Sequence, residues 1–109
     1  MNQRISADHL QQLSDTQKET LRSLWNPQEG EYILFNEYQE EMIYYLNGVE
    51  KHKSLPLLTI GQMISYLTHH DKMFSMQFES GEWQVTLSKS VMQNPELCNA
   101  LWEATMSKL

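Results

Sequence analysis

A strict two-residue alternation between residues 72 and 88 constrains the fold of this chain most strongly. Large apolar side chains occupy every second position on both sides of the segment Glu79-Ser80-Gly81-Glu82, namely Phe74, Met76, Phe78, Trp83, Val85 and Leu87. Because successive side chains of a β-strand point to opposite faces, this pattern predicts an antiparallel hairpin that buries all six residues on one face. The second face of the hairpin is predicted to be polar and solvated.

Helix-capping signals precede two other apolar stripes. Ser14 and Gln17 have the spacing of a capping box, which predicts a helix over residues 15–25. The residues just upstream fit either a short helical turn or an earlier start of the same helix. Thr59 and Gln62 repeat the capping signal and predict a helix that ends near His69. Gly61 in the first turn of that helix suggests a close neighbour, since glycine lowers helix stability.

The last helix is predicted to begin at Asn94, with Pro95 at its first position. Its apolar stripe consists of Leu97, Cys98, Leu101, Trp102 and Met106. In the first half of the chain, the β-prone run at residues 32–35 predicts a buried strand. Residues 36–48 fit either a strand that enters a turn at Asn47-Gly48, which we favour, or a helix capped by Asn36 and Gly48.

These elements predict an α+β fold with the order α-β-β-α-β-β-α, in which helices pack on one face of a small antiparallel sheet. The length of 109 residues fits a single globular domain over residues 1–109, with residues 1–5 as a loose terminus. The single cysteine favours a reducing compartment, and we expect a cytoplasmic location. No apolar run approaches the roughly 20 residues that span a bilayer, so we expect no membrane partner.

The charge of the chain limits the classes of binding partner that we expect. The net charge of −6 is opposite to what binding to a phosphate backbone requires, so we expect no direct nucleic-acid partner. Residues 23–50 contain no Lys or Arg, but they contain six Glu and, besides Trp25, five aromatic residues. This composition predicts a surface for a basic protein partner within residues 29–50, with the partner-binding residues Glu37, Tyr38, Glu40, Glu41 and Tyr44. The simpler alternative is that the tyrosines belong to the core and the glutamates are merely solvated.

Motifs for catalysis or cofactor binding are absent from the sequence. It contains no GxGxxG, Walker-type, HExxH or GxSxG motif. His69-His70-Asp71 resembles a ligand set only superficially, since adjacent imidazoles on a helix point about 100° apart. A solvated helix end explains this segment better, and Cys98 lies on an apolar stripe, as a core cysteine would. We therefore expect no cofactor, no metal and no enzymatic activity.

Three segments carry a resemblance to a known group of proteins. LWNPQEGEY at residues 24–32, LPLLTIGQMI at residues 55–64 and ELCNALWEA at residues 96–104 are similar, in order and spacing, to small uncharacterised proteins of Firmicute phages, prophages and related mobile elements. The resemblance implies a non-enzymatic accessory or host-modulating protein that binds a protein partner. The alternatives are a structural or assembly protein that forms a homo-oligomer, and a small enzyme with an unrecognised site.

Overall fold

The computed structural model describes residues 1–35, 40–46 and 48–109. These residues form two compact units, one of Ser6–Leu58 with Leu109 and the other of Met1–Ile5 with Thr59–Lys108. In chain order the elements are α1 (Ala7–Leu10), α2 (Asp15–Leu24), β1 (Tyr32–Phe35), β2 (Glu40–Ile43), a 3-10 turn (Lys51–Lys53), β3 (Ser54–Pro56), α3 (Ile60–His70), β4 (Ser75–Glu79), β5 (Glu82–Thr86), β6 (Val91–Asn94) and α4 (Leu97–Met106).

The unit of Ser6–Leu58 contains an antiparallel sheet with the strand order β2-β1-β3. The central strand β1 buries both Ile33 and Leu34, one on each face. Pro56 pairs with Ile33 at the outer strand β3, where a proline is tolerated because one side of an edge strand needs no ladder bonds. One face of the sheet carries an apolar cluster of Trp25, Ile33, Tyr44 and Val49, with Phe35 and Met42 packed against it.

The unit of Met1–Ile5 and Thr59–Lys108 contains a second antiparallel sheet, with the strand order β4-β5-β6. β4 and β5 are joined by a two-residue turn at Ser80 and Gly81, whose φ values of 54° and 80° are typical of a type I′ hairpin turn. α4 packs on β5, β6 and α3 and supplies most of the buried side chains of this unit. Trp102 is the largest fully buried side chain among the described residues.

The Asp71 carboxylate accepts hydrogen bonds from three other residues of this second unit. Its Oδ2 accepts hydrogen bonds from the backbone N–H and the hydroxyl of Ser88, both at 3.0 Å, and from Lys108 Nζ at 2.8 Å. Its Oδ1 accepts from the backbone N–H of Met73 at 2.9 Å. The Lys108 ammonium, followed by the Ser88 donors, holds the pKa of this buried carboxyl well below its usual range.

The α+β class, the antiparallel strands and the capping boxes of α2 and α3 are confirmed. Residues 40–43 form a strand, as favoured, whereas residues 36–39 and 47 lie outside the described residues. The expectation of one sheet is wrong, because β3 and β6 complete two separate sheets and α1 forms its own helical turn. Their sequence signals are weak, since β3 contains a proline and β6 runs into Asn94-Pro95.

Three further expectations require correction. Residues 1–5 do not form a loose terminus, because Ile5 is fully buried and Arg4 pairs with Thr59 in a β-bridge. The last helix begins two residues later than predicted, since Asn94 Oδ1 accepts from the backbone N–H of Glu96 at 2.9 Å instead of capping at the predicted position. The hairpin pairs as predicted, but only Val85 and Leu87 of its six apolar residues are buried, while Phe74 and Trp83 are half-buried and Met76 and Phe78 are exposed. The single domain over residues 1–109 stays a prediction.

Candidate protein-binding surface

The predicted partner-binding residues fall into three groups. Glu37 and Tyr38 lie outside the described residues. Glu40 and Glu41 begin β2 and are both exposed, so their placement is compatible with a contact surface. Tyr44 is different, because only 6% of its surface is accessible.

Tyr44 is a core residue of its unit. Its ring packs edge-on against Trp25, with the ring centroids 5.6 Å apart and an interplanar angle of 73°. Such T-shaped pairs stabilise a core beyond the area that they bury. The assignment of Tyr44 as an exposed anchor is therefore wrong in this structure, and the core alternative describes it correctly.

Other apolar side chains take the exposed positions near the two glutamates. Tyr32 and Ile43 face each other across the β1–β2 pair, and 46% and 51% of their surfaces are accessible. Tyr45 is also 51% exposed. We call Tyr32, Glu40, Glu41, Ile43 and Tyr45 the β2 surface.

The sequence contained part of the signal for this arrangement. Strand alternation assigns Glu40, Met42 and Tyr44 to one face and Glu41 and Ile43 to the other. Alternation does not decide which face is buried, because each face carries one glutamate. Counting aromatic residues over the whole segment did not separate the buried Tyr44 from its exposed neighbour Tyr45.

Several glutamates of the acidic segment serve local structure. Glu31 Oε1 accepts from the backbone N–H of Gln28 at 2.6 Å and from the indole N–H of Trp25 at 3.3 Å. Glu50 pairs with His52 and Lys53 at 3.3 and 3.4 Å. The negative charge that is presented to solvent near the exposed apolar residues therefore comes mainly from Glu40 and Glu41.

Glu41 has a structural contact as well as an exposed position. Its Oε2 accepts a long hydrogen bond of 3.4 Å from the backbone N–H of Ala7, the first residue of α1. A carboxylate at a helix N-terminus satisfies an otherwise open backbone donor. The side chain is thus held near one orientation while it remains accessible from solvent.

The same unit also contains an open groove of about 600 Å³. It is lined by Glu19, Arg22, Ser23, Leu46, Val49, Glu50, Lys51 and His52. Arg22 is buried, donates from Nε to the backbone carbonyl of Ser54 at 3.1 Å, and pairs with Glu19 through Nη1. The carboxylates of Glu19 and Glu50 compensate the cations of this groove. Its charges therefore stabilise the fold, and they do not form a nucleophile–base pair.

The remaining chemically reactive side chains have structural surroundings. His69 Nδ1 lies 2.7 Å from the carbonyl of Ser65, and the His70 ring stacks on Tyr66 with centroids 4.3 Å apart. Cys98 is fully buried, as expected, and burial raises the pKa of its thiol, which disfavours the nucleophilic thiolate. Within residues 1–35, 40–46 and 48–109, no group of three or more His, Cys, Asp or Glu residues is placed to hold a metal ion.

Across the part of the chain that the structure describes, no helix has the length and apolar character needed to cross a bilayer. The β2 surface combines exposed large side chains with the exposed carboxylates of Glu40 and Glu41. Such a combination can bind an oppositely charged protein surface. Comparison with known proteins gives no match to a family model, to a curated protein or to a solved structure.

Proposed function

We propose that this chain is a non-enzymatic binding protein whose β2 surface docks a basic segment of a protein partner. The observation that carries the proposal is the exposed edge strand β2, on which Glu41 shares a face with the exposed Tyr32–Ile43 pair and Glu40 is exposed at the start of the strand. From the resemblance of residues 24–32, 55–64 and 96–104 to phage and mobile-element proteins, we further propose that the partner is a host or phage protein. An accessory or host-modulating role follows from such binding.

The geometry supports an extended partner segment. β2 is an outer strand of its sheet, so one of its edges carries backbone donors and acceptors that no described strand pairs. A partner strand that adds to this edge gains main-chain hydrogen bonds, while side chains at alternate positions select the sequence. Lys or Arg opposite Glu40 and Glu41 would make attractive cross-strand pairs.

Charge and apolar contact should act on different steps of binding. The carboxylates steer a basic partner toward the surface and mainly raise the association rate, which salt then lowers. Tyr32 and Ile43 supply the large contact areas that slow dissociation. The proposal therefore predicts distinct kinetic signatures for the two kinds of residue.

Photo-crosslinking in the host cell tests the location of the surface. A photoreactive amino acid at Ile43 should crosslink to a specific protein, whereas the same group at the equally exposed Val91 of β6 should not. A specific product from both positions, or from neither, would remove β2 from the interface.

Binding kinetics with the captured partner then test the charges. Glu40→Gln and Glu41→Gln together should slow association roughly tenfold at low ionic strength. The control Asp15→Asn changes an exposed carboxyl outside the β2 surface and should leave the rate unchanged. An association rate that is insensitive to the first pair would contradict the proposal.

A further inference from the structure

The strand β4 has an exposed apolar edge. Met76 and Phe78 are 37% and 58% exposed, although they lie on the same face of the hairpin as the buried Val85. The Phe78 ring rests against Trp83 with the centroids 5.2 Å apart, so it is held in place on the strand. Among the described residues, nothing pairs with the outer edge of β4.

The turn determines which backbone groups of β4 face this open edge. In a two-residue type I′ hairpin the flanking residues, here Glu79 and Glu82, form a hydrogen-bonded pair. Bonded and non-bonded pairs alternate along an antiparallel ladder, so Gln77 also bonds to β5. The N–H and C=O groups of Met76 and Phe78 therefore point away from β5, toward the unpaired edge.

We propose that β4 is a self-association surface that pairs antiparallel with β4 of a second copy of this chain. A twofold axis at Gln77 sets Met76 of each copy opposite Phe78 of the other. Each of these pairs can exchange two backbone hydrogen bonds, because the outward-facing groups belong to these two residues. The result is a continuous six-stranded sheet with a Met–aromatic contact on each side of the axis.

The charges of β4 favour this arrangement. The only charged residue within the strand is Glu79, which the pairing sets opposite the uncharged Ser75 of the second copy. Lys72 is exposed just before the strand, whereas Glu79 and Glu82 flank the turn at its other end. Antiparallel pairing brings the basic end of each copy to the acidic end of the other, so attraction is repeated on both sides of the axis.

The symmetry also limits the assembly to two copies. The same strand is used by both partners, which makes the contact isologous and closes it at a dimer. Pairing removes the β4 edge from solvent, and such an edge otherwise invites uncontrolled association. This inference is independent of the proposed function, since it uses a different sheet and different residues.

The mass of the full chain in solution, measured by sedimentation across a range of concentrations, provides the first test. A reversible monomer–dimer equilibrium is expected, and Phe78→Lys should weaken dimerisation roughly tenfold or more, since it disrupts both Met–Phe pairs. The control Val91→Lys alters an equally exposed apolar residue on β6 and should leave dimerisation unchanged. A chain that stays monomeric throughout, or a dimer that only Val91→Lys disrupts, would overturn the proposal.

Disulfide trapping tests the pairing itself and does not depend on the lysine variant. Two Gln77 residues at a twofold axis form a non-hydrogen-bonded pair with Cα atoms about 4.5 Å apart, within reach of a disulfide. Gln77→Cys should therefore give a covalent dimer under mild oxidation, whereas Gln93→Cys on β6 should not. Failure of Gln77→Cys to crosslink, or equal crosslinking by both variants, would reject this pairing.

A charge exchange gives a third, independent readout of the same interface. Lys72→Glu and Glu82→Lys should each weaken dimerisation, and the double variant should restore it in part, because the opposite charges meet again across the axis. Two single variants without effect, or a double variant that merely adds their losses, would show that these ends do not meet.

Discussion

The two sheets have the same number of antiparallel strands, but the side chains on one edge strand of each sheet differ in chemistry. Each has three antiparallel strands, yet β2 ends one sheet with Glu40 and Glu41, whereas β4 ends the other with Met76 and Phe78. Charged residues on an edge strand prevent two identical strands from pairing, because like charges then face each other. Pairing of β4 with itself is permitted, because its one charged residue, Glu79, would face the uncharged Ser75 of the second copy. Under the two proposals above, the acidic edge selects an unlike partner and the apolar edge accepts a copy of itself.

The two units also differ in how their cores are built. In the unit of Met1–Ile5 and Thr59–Lys108, α4 alone contributes seven buried residues, including Trp102. The unit of Ser6–Leu58 depends on a smaller cluster around the Trp25–Tyr44 contact. Large side chains dominate the free energy of unfolding in both cases, so substitutions there give the largest effects.

The strongest effect is expected in α4. Trp102→Ala should lower the free energy of unfolding by about 3–5 kcal/mol, because it leaves a cavity at a fully buried site. Since small domains are stable by only about 5–15 kcal/mol, this loss should be obvious in urea denaturation. The control Met73→Ala alters a largely exposed side chain and should change stability by less than about 0.5 kcal/mol. Similar losses in both variants would contradict the assignment of α4 as the core.

Adjacent tyrosines give a sharper comparison in the other unit. Tyr44→Ala should cost about 3 kcal/mol because Tyr44 is buried against Trp25, while Tyr45→Ala should change stability by less than about 0.5 kcal/mol. Denaturant unfolding of the two variants measures the difference. The reverse order would show that strand parity is inverted here and that Tyr44, not Tyr45, belongs to the β2 surface.

Asp71 makes the second unit sensitive to acid. Its pKa is lowered in the folded state, so the stabilisation that it provides is complete above its unfolded pKa of about 4 and is lost as the pH falls below that value. Asp71→Asn should therefore reduce the melting temperature at neutral pH and flatten its decrease on acidification. Asp15→Asn changes an exposed carboxyl and should retain the original pH profile. An unchanged profile in Asp71→Asn would place the acid sensitivity elsewhere.

The smallest expected effect is a gain in stability in α3. A Cβ at Gly61 would meet only Thr59 Oγ1, at an ordinary van der Waals distance of 3.9 Å. Gly61→Ala should therefore stabilise the chain by about 0.5–1 kcal/mol, since alanine favours the helix without steric conflict. Thermal melting detects this change, and Gly81→Ala serves as a contrast because its positive φ makes alanine unfavourable. A destabilised Gly61→Ala would reveal a neighbour that packs against this glycine.

Sequence reasoning succeeded where a local chemical signal determines the structure. Ser14 with Gln17 and Thr59 with Gln62 form the predicted capping boxes, and the Ser80-Gly81 turn aligns the predicted hairpin. The partners in each of these contacts are only a few residues apart in the sequence, so the order of the amino acids is sufficient to predict them.

Properties that depend on distant segments were not predictable in this way. Alternation in β4 showed that Met76 and Phe78 share a face, but it could not show that α4 packs on β5 and β6. Gly61 suggested a close neighbour, and the structure has none within van der Waals contact beyond Thr59. Burial of Tyr44 depends on the position of Trp25, which lies beyond a turn and the strand β1.

The hydrogen bonds of Asp71 have a consequence for the strength of the proposed pairing at β4. One carboxylate holds Met73 and Ser88, which are the two ends of the open side of the hairpin, while the Ser80-Gly81 turn closes the opposite side. A strand tethered at both ends has already lost its backbone entropy before an incoming strand arrives. Binding then requires little further ordering, and more of the contact energy remains as affinity. Loosening the Asp71 tether should therefore weaken pairing at β4 even though Asp71 touches no partner.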